Sequence, residues 1–412
     1  MSMIGKFLGP LIKNGELTLV HADGAKETFG APSDGFPNVT LRLTDNKVIR
    51  DVLLDPRLGA AEAFMDGRLV VEQGDVMDLI QLARSNKPWE RGGVLKETSP
   101  QKKMLDAVIS KFDQINGLGR SKDNVAHHYD LGNDLYRLFL DEDLQYTCAY
   151  YPRDNMTLEE AQREKKAHVA AKLALSPGQR VVDIGCGWGG LALYLNKVAD
   201  VDVLGITLSE EQLAVAKERA EKAGVADRVK FELIDYRDLA TRDAGQFDRI
   251  VSVGMFEAVG TPQFKTFFRC CANLMKDDGV MLLHTIGRFG RPGKTDAFTR
   301  KYIFPGGYIP ALSETLAASE HYRLMVTDIE TLRLHYAKTL REWYKRTVEN
   351  QAAIVELYDE RFFRMWTFYL AGATAAFESG GMCNYQIQFS RNRRTLPLAR
   401  DYIRETEKKL LS

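Results

Sequence analysis

The ten residues Val181-Val182-Asp183-Ile184-Gly185-Cys186-Gly187-Trp188-Gly189-Gly190 constrain the fold of this chain more than any other stretch. Two β-branched residues lead into Asp183, glycines follow at alternate positions, and Leu191-Ala192-Leu193-Tyr194-Leu195 opens a helical pattern. A buried strand that turns at once into a helix has this signature. Glycines at 185, 187 and 189 let the backbone approach a ligand where a Cβ would collide. A bare GxGxG turn also suits a dinucleotide, so the loop needs its context.

Downstream, 201–207 alternates as a second strand and 208–223 reads as a charged amphipathic helix, with Ser209 as N-cap and Gln212 closing a capping box. A dinucleotide fold would end that strand on an acid for the ribose hydroxyls. Gly205-Ile206-Thr207 stands there instead, so ribose or methionine contacts fall to Thr207 and Gln212. Residues 229–234 form a third strand, followed by Asp235 and Tyr236, an acid and a flat ring suited to an adenine. Residues 247–253 and 279–285 supply two more strands. Strands separated by helical stretches of this length imply an α/β fold, a doubly wound and mostly parallel sheet with its ligand at the C-terminal strand ends. The complete loop resembles the first motif of the Rossmann-like S-adenosyl-L-methionine (SAM) methyltransferases, which bind a sulfonium nucleoside without a pyrophosphate.

With 412 residues the chain has room for two or three domains. Lys and Arg total 56, as do Asp and Glu, and this neutrality argues against nucleic acid as a partner. No run approaches the ~20 apolar residues of a spanning helix, and Met1 to Lys13 is too short in apolar length for a signal peptide. The cysteines at 148, 186, 270, 271 and 383 show neither metal spacing nor a disulfide framework, so no metal is expected and the location reads as cytoplasmic. Residues 1–95 read as a small N-terminal α+β domain without a catalytic constellation. Residues 87–101 are linker-like. Residues 96–412 carry the core, with an aromatic-rich helical insert over about 288–370.

Asn124-Val125-Ala126-His127-His128-Tyr129-Asp130-Leu131-Gly132-Asn133 and Gln145-Tyr146-Thr147-Cys148-Ala149-Tyr150-Tyr151 resemble motifs of the cyclopropane-fatty-acid synthase family. So do Phe256-Glu257-Ala258-Val259-Gly260, His284-Thr285-Ile286-Gly287, Tyr302-Ile303-Phe304-Pro305-Gly306-Gly307-Tyr308 and His335-Tyr336-Ala337-Lys338-Thr339-Leu340, in that order. The likeness spans roughly 115 to 395, and the N-terminal block is similar to the auxiliary domain of longer bacterial members. It implies SAM as co-substrate, held by Tyr146, Thr147, Asp183, Gly185, Cys186, Gly187, Trp188, Gly189, Thr207, Gln212, Asp235 and Tyr236. It also implies a bound bicarbonate as base, cradled by Cys148, Glu257, His284, Ile286 and Tyr336. The expected substrates are unsaturated phospholipids, approached by a homodimer or higher homo-oligomer lying peripherally on the inner face of the membrane. Alternative outcomes on the same scaffold are methylene- or methyl-branched fatty acids, or an inactive lipid-binding protein. Ala373 stands where many members carry a cysteine, which the chemistry makes dispensable.

Plainer readings compete at each position. A histidine ending a buried strand is usually a satisfied core residue, Tyr336 can pack with Trp343 and Tyr344, and the aromatic stripe suits helix core as well as a lipid pocket. Glu257 differs, because a carboxylate in the apolar run 251–259 is costly unless used. Cys148 has no activating pair to make it a nucleophile, and alkene methylation needs no covalent intermediate. His127-His128 lacks partners at ligand spacing.

Overall fold

A computed structural model describes residues 2–93 and 132–411. The motif residues 124–131, with His127 and His128, and part of the linker-like stretch lie outside the described residues. The described chain divides into two compact units. One holds 2–93 with Thr295–Pro305 and Leu340–Met382; the other holds 132–294, Gly306–Thr339 and 383–411.

In the first unit, β1 (Gly15–Val20), β2 (Lys26–Ala31), β3 (Asn38–Leu43) and β4 (Leu69–Gln73) form a sheet in the order β2-β1-β3-β4. β1 and β3 are parallel; the other pairs are antiparallel. Alternation along β1 sends Leu17 and Leu19 into a core with Phe29, Val39, Leu41 and Leu82. The helix Val76–Ser85 starts on a capping box, in which Asp75 and Asp78 bond each other's backbone N–H. Helix Glu360–Glu378 packs against this helix and against Leu58–Met65. Gln81 donates to Glu378 at 2.6 Å, and the rings of Phe64 and Phe368 lie 5.9 Å apart. The sequence division at 1–95 therefore cuts through one compact body, and the expected insert over 288–370 is shared between the two units.

The second unit is the doubly wound sheet. Its strands are β5 (Arg180–Ile184), β6 (Asp202–Thr207), β7 (Val229–Leu233), β8 (Phe247–Val253), β9 (Met275–Arg288), β10 (Met325–Leu332) and β11 (Met382–Ser390), in the order β10-β11-β9-β8-β5-β6-β7. β5 to β9 run parallel. Gly279 meets Arg391 whereas His284 meets Gln386, so β11 runs opposite to β9. Successive residues feed opposite faces: Val182, Leu204, Ile250 and Leu283 enter one apolar cluster, and Val181, Val203, Val251 and Leu282 the other. Central strands covered on both faces read as largely apolar runs, which made β5, β8 and β9 legible, whereas β6 and the edge strand β7 were legible by alternation, as in Val229-Lys230-Phe231. β10 and β11 were not. β10 is an edge strand, and β11 buries Asn384, Gln386 and Gln388 at positions that an alternating pattern assigns to solvent.

The C-terminal helix Asp401–Leu411 docks on helix Leu158–Leu173 through buried His168, whose Nδ1 meets Glu407 and whose Nε2 meets Glu330 at 2.6 Å. Lys172 also donates to Glu330 at 2.5 Å, and Tyr150 stacks on the His168 ring at 4.2 Å. Burial works to lower the His168 pKa, but the hydrogen bonds it donates to Glu330 and Glu407 outweigh it and the net shift is upward. A group whose pKa is raised on folding contributes stability fully below its unfolded value of about 6.5 and loses it as pH rises through the folded value. His168→Gln is therefore expected to lower Tm most at mildly acidic pH, with the gap to wild type narrowing as pH rises. Thermal melts between pH 5 and 9 check this; a gap that grows toward alkaline pH would contradict the assignment.

Candidate active site

Glycines 185, 187 and 189 all have positive φ, at 84°, 55° and 81°, so the turn after β5 needs glycine on conformational grounds alone. Their surroundings differ. A Cβ on Gly185 would lie 2.7 Å from Met255, and one on Gly189 would lie 2.6 Å from Phe231. The expectation that all three admit a ligand is thus narrowed: Gly185 and Gly189 admit neighbouring protein, and only Gly187 faces open space. Gly187→Val is expected to leave the fold intact at the cost of local strain while abolishing SAM binding, as read by calorimetry on the folded variant. Unchanged SAM affinity would remove the loop from the cofactor site.

Around the turn, Trp188 donates to Asn133 at 2.7 Å, and the Tyr136 ring sits 5.0 Å from Trp188 and 5.2 Å from Tyr146. This aromatic contact brings the 145–148 loop beside the glycine turn. At the end of β6, Thr207 donates to the Gln212 side chain at 3.1 Å. Ser209 does cap the next helix, accepting from Gln212 N at 3.3 Å, but the Gln212 side chain turns to Thr207 and the capping box stays half made. Asp235 caps helix Tyr236–Arg242 and holds the Arg237 guanidinium with both oxygens, each at 2.7 Å. The Tyr236 ring meets Phe267 edge-on at 5.5 Å within the apolar core. Cys186 packs behind the turn against Gly205. Asp183 is buried with Oδ2 lacking a hydrogen-bond partner among the described residues, and burial lifts its carboxyl to about 7.

Of the expected base-site residues, Glu257 follows β8 and meets Ile286 on β9, the strand that also carries His284. Gly254 N donates to His284 O at 2.9 Å, and Ile286 N donates to Glu257 Oε1 at 2.5 Å. The other Glu257 oxygen, Oε2, is buried with no hydrogen-bond partner among the described residues. Burial pushes this carboxyl up to about 7, against the pull of the Ile286 N–H. His284 is 1% exposed, and burial holds its pKa well below the ordinary range, so the ring is neutral. The 145–148 loop reaches the same end of the sheet, where the Thr147 methyl would lie 2.7 Å from a Cβ on Gly254. Ala149 N donates to Thr339 Oγ1 at 3.1 Å and Tyr151 N to His335 Nδ1 at 2.9 Å, which docks the loop on the first turn of helix His335–Glu349, the turn that carries Tyr336. Burial raises the Cys148 pKa, so the thiol stays protonated, as the rejection of a nucleophile requires. Ala373 belongs to helix Glu360–Glu378 in the first unit.

Sequence reasoning missed the residue at the centre of this loop. Lys165 is fully buried and donates to Gln145 Oε1 and, at 2.9 Å, to Thr147 Oγ1; burial brings its pKa down to about 8. Gln162, one turn earlier, donates to Gln145 O at 3.1 Å and Thr147 O at 2.9 Å. The available signal was spacing: Gln162, Lys165, His168 and Lys172 recur at helical intervals along an otherwise Ala- and Val-rich face.

A doubly wound sheet with a glycine turn after its first central strand, and a buried acid and histidine at the neighbouring strand ends, defines a SAM-dependent methyltransferase. Residues 118–387 match the mycolic acid cyclopropane synthetase family, and the chain belongs to it. It is 37% identical over 362 residues to the cyclopropane-fatty-acyl-phospholipid synthase of Escherichia coli (strain K12), covering 88% of this chain and 90% of that one. It is 35% identical over 363 residues to a probable fatty acid methyltransferase of Pseudomonas putida, covering 85% and 86%. Among solved structures, mycolic acid cyclopropane synthase CmaA1 complexed with SAH and CTAB aligns with a TM-score of 0.61 at 33% identity, over 65% of this chain and 98% of that one.

Proposed function

We propose that this enzyme adds a methylene group from SAM across the cis double bond of unsaturated phospholipid acyl chains, forming a cyclopropane ring, with bicarbonate as general base. The alkene takes the sulfonium methyl, leaving a cation on the acyl chain, and loss of a proton from that methyl closes the ring. Bicarbonate, when bound, supplies a base that takes this proton without attacking carbon.

The observation that carries the reading is the buried Oε2 of Glu257, which has no hydrogen-bond partner among the described residues, on a carboxyl held by Ile286, two residues after the buried His284 on β9. A carboxyl with a pKa of about 7 can accept a proton in one step and return it in the next. Its fixed Oε1, bonded to Ile286 N, aims the free oxygen. The neutral His284 ring and the Tyr336 hydroxyl offer hydrogen bonds to an oxyanion, and the protonated Cys148 adds no competing nucleophile. The names of the Escherichia coli and Pseudomonas putida relatives support a fatty-acyl substrate. Among the described residues no helix is long and apolar enough to cross a membrane, in keeping with peripheral contact with lipid.

The test is twofold. Gas chromatography with mass spectrometry of membrane lipids from expressing cells should show acyl chains heavier by one methylene, with ring fragmentation. Branched fragmentation would replace cyclopropanation by methyl branching, and unchanged lipids would favour an inactive lipid-binding protein. With purified enzyme, rigorous removal of bicarbonate should depress the rate and its return restore it; an indifferent rate would remove bicarbonate from the site.

A further inference from the structure

We propose that Gln386 is a positioning residue: it donates to Nδ1 of His284 and so fixes the neutral ring with its proton on Nε2, turned toward Asn384. The functional consequence rests on the reading of His284 as part of the base site; the tautomer does not.

Gln386 and Asn384 lie on the same side of β11, two residues apart, and both are buried, at 0% and 1% exposure. Gln386 Nε2 lies 3.1 Å from His284 Nδ1, and Asn384 Nδ2 lies 3.3 Å from His284 Nε2. Both amide oxygens, Gln386 Oε1 and Asn384 Oδ1, are buried without hydrogen-bond partners among the described residues. A neutral imidazole has one N–H and one bare nitrogen, so two amide NH2 groups cannot both donate to it. The two ends of a carboxamide have nearly the same shape, so either can reverse in place. Reversing either amide satisfies the ring; we assign the donor on the bare nitrogen to the shorter contact, at Gln386, and the reversed amide to Asn384. Turning that amide gives Asn384 Oδ1 the donor it lacks and satisfies one buried oxygen without moving the strand.

A fixed tautomer matters because only one ring nitrogen can serve an anion. With Nδ1 held as acceptor by Gln386, Nε2–H is the one donor of the ring, bonded to Asn384 Oδ1 until a bicarbonate oxygen takes that place. An unfixed ring would present a bare, repulsive nitrogen to the anion for part of the time. In this arrangement Gln386 plays the part that an orienting second partner plays for a functional histidine elsewhere.

Long-range proton–nitrogen NMR on protein labelled with nitrogen-15 histidine reads the ring directly, because protonated and bare ring nitrogens resonate far apart. The His284 signal is assigned by its loss in His284→Asn. Wild type should show Nε2 protonated and Nδ1 bare. Gln386→Met, which keeps the volume and removes the donor, should shift the ring toward a mixture of tautomers. It should also lower kcat by roughly 10- to 100-fold, the range for groups that orient a functional imidazole, while KM for SAM stays within about twofold. Gln386→Glu places an acceptor at Nδ1 and should move the proton there, with a comparable loss of kcat. A wild-type ring protonated on Nδ1, or a Gln386→Met spectrum identical to wild type, overturns the assignment. If the spectra behave as expected while wild-type activity ignores bicarbonate, the base reading fails and the tautomer assignment stands.

Discussion

Glu257→Gln, or His284→Ala, is expected to cut turnover by roughly 100-fold or more while SAM affinity stays nearly intact, as befits loss of a proton acceptor used only during the reaction. Glu257 lies past β8 and bonds Ile286 on β9, whereas Met255, two residues earlier, is what meets Gly185 of the glycine turn, so a change confined to the Glu257 side chain should spare the cofactor loop. The Gln substitution keeps an oxygen for the Ile286 N–H and removes only the ionisable oxygen, which makes it the cleaner of the two. A pH profile adds a readout that a purely structural role would not move. Burial lifts the Glu257 carboxyl to about 7, so activity that needs the ionised form should rise with pH through about 7 in wild type and lose that limb in Glu257→Gln. A full-strength Glu257→Gln enzyme, or a variant with an unchanged acid limb, would take Glu257 out of the base site. His284→Ala is harsher, because it also strips Asn384 and Gln386 of their buried partner, so its stability has to be measured alongside its rate.

What was legible in the sequence follows a physical division. β5, β8 and β9 carry their own signal as central strands that are largely apolar, β6 and β7 carry theirs as alternation, and the turn after β5 announces itself through glycines at positive φ. The acid and the histidine were visible because a charge or an imidazole at an apolar strand end is an anomaly in one dimension. Lys165, Gln386 and Asn384 were not, because a lysine on a helix and amides on an alternating strand are ordinary until the fold buries them. The glycine argument shows the reverse error. A positive φ and a collision with Phe231 or Met255 demand glycine as firmly as a ligand does, and the sequence cannot tell these demands apart.

A chain begun near Ser99 is expected to lose the fold of Leu340–Met382 and not merely a docking function. Removal of the N-terminal block would serve as a test of membrane contact if that block stood alone. It does not, since Leu340–Met382 belongs to the same compact unit. Tyr344 donates to Asp75 at 3.0 Å, Arg361 to Asp66 at 2.8 Å, and Trp89 N to Ser379 O at 2.9 Å; Tyr302 donates to Glu62 at 2.8 Å. Helix Glu360–Glu378 buries Phe363, Met365, Trp366, Leu370 and Phe377, and a large apolar side chain deprived of its packing costs about 2–5 kcal/mol. Two or three such losses equal the whole stability of an ordinary domain, about 5–15 kcal/mol. The truncated protein should therefore show reduced helical circular dichroism, rapid proteolysis within 340–382 and binding of a hydrophobic dye, together with loss of activity on vesicles. Adding the separate 1–98 fragment should restore part of the protection. If instead the truncated chain resists proteolysis, binds SAM as wild type does and fails only on vesicles, with a deficit that grows as ionic strength rises, the N-terminal block is a detachable lipid-docking module and its contacts with helix Glu360–Glu378 contribute little to folding.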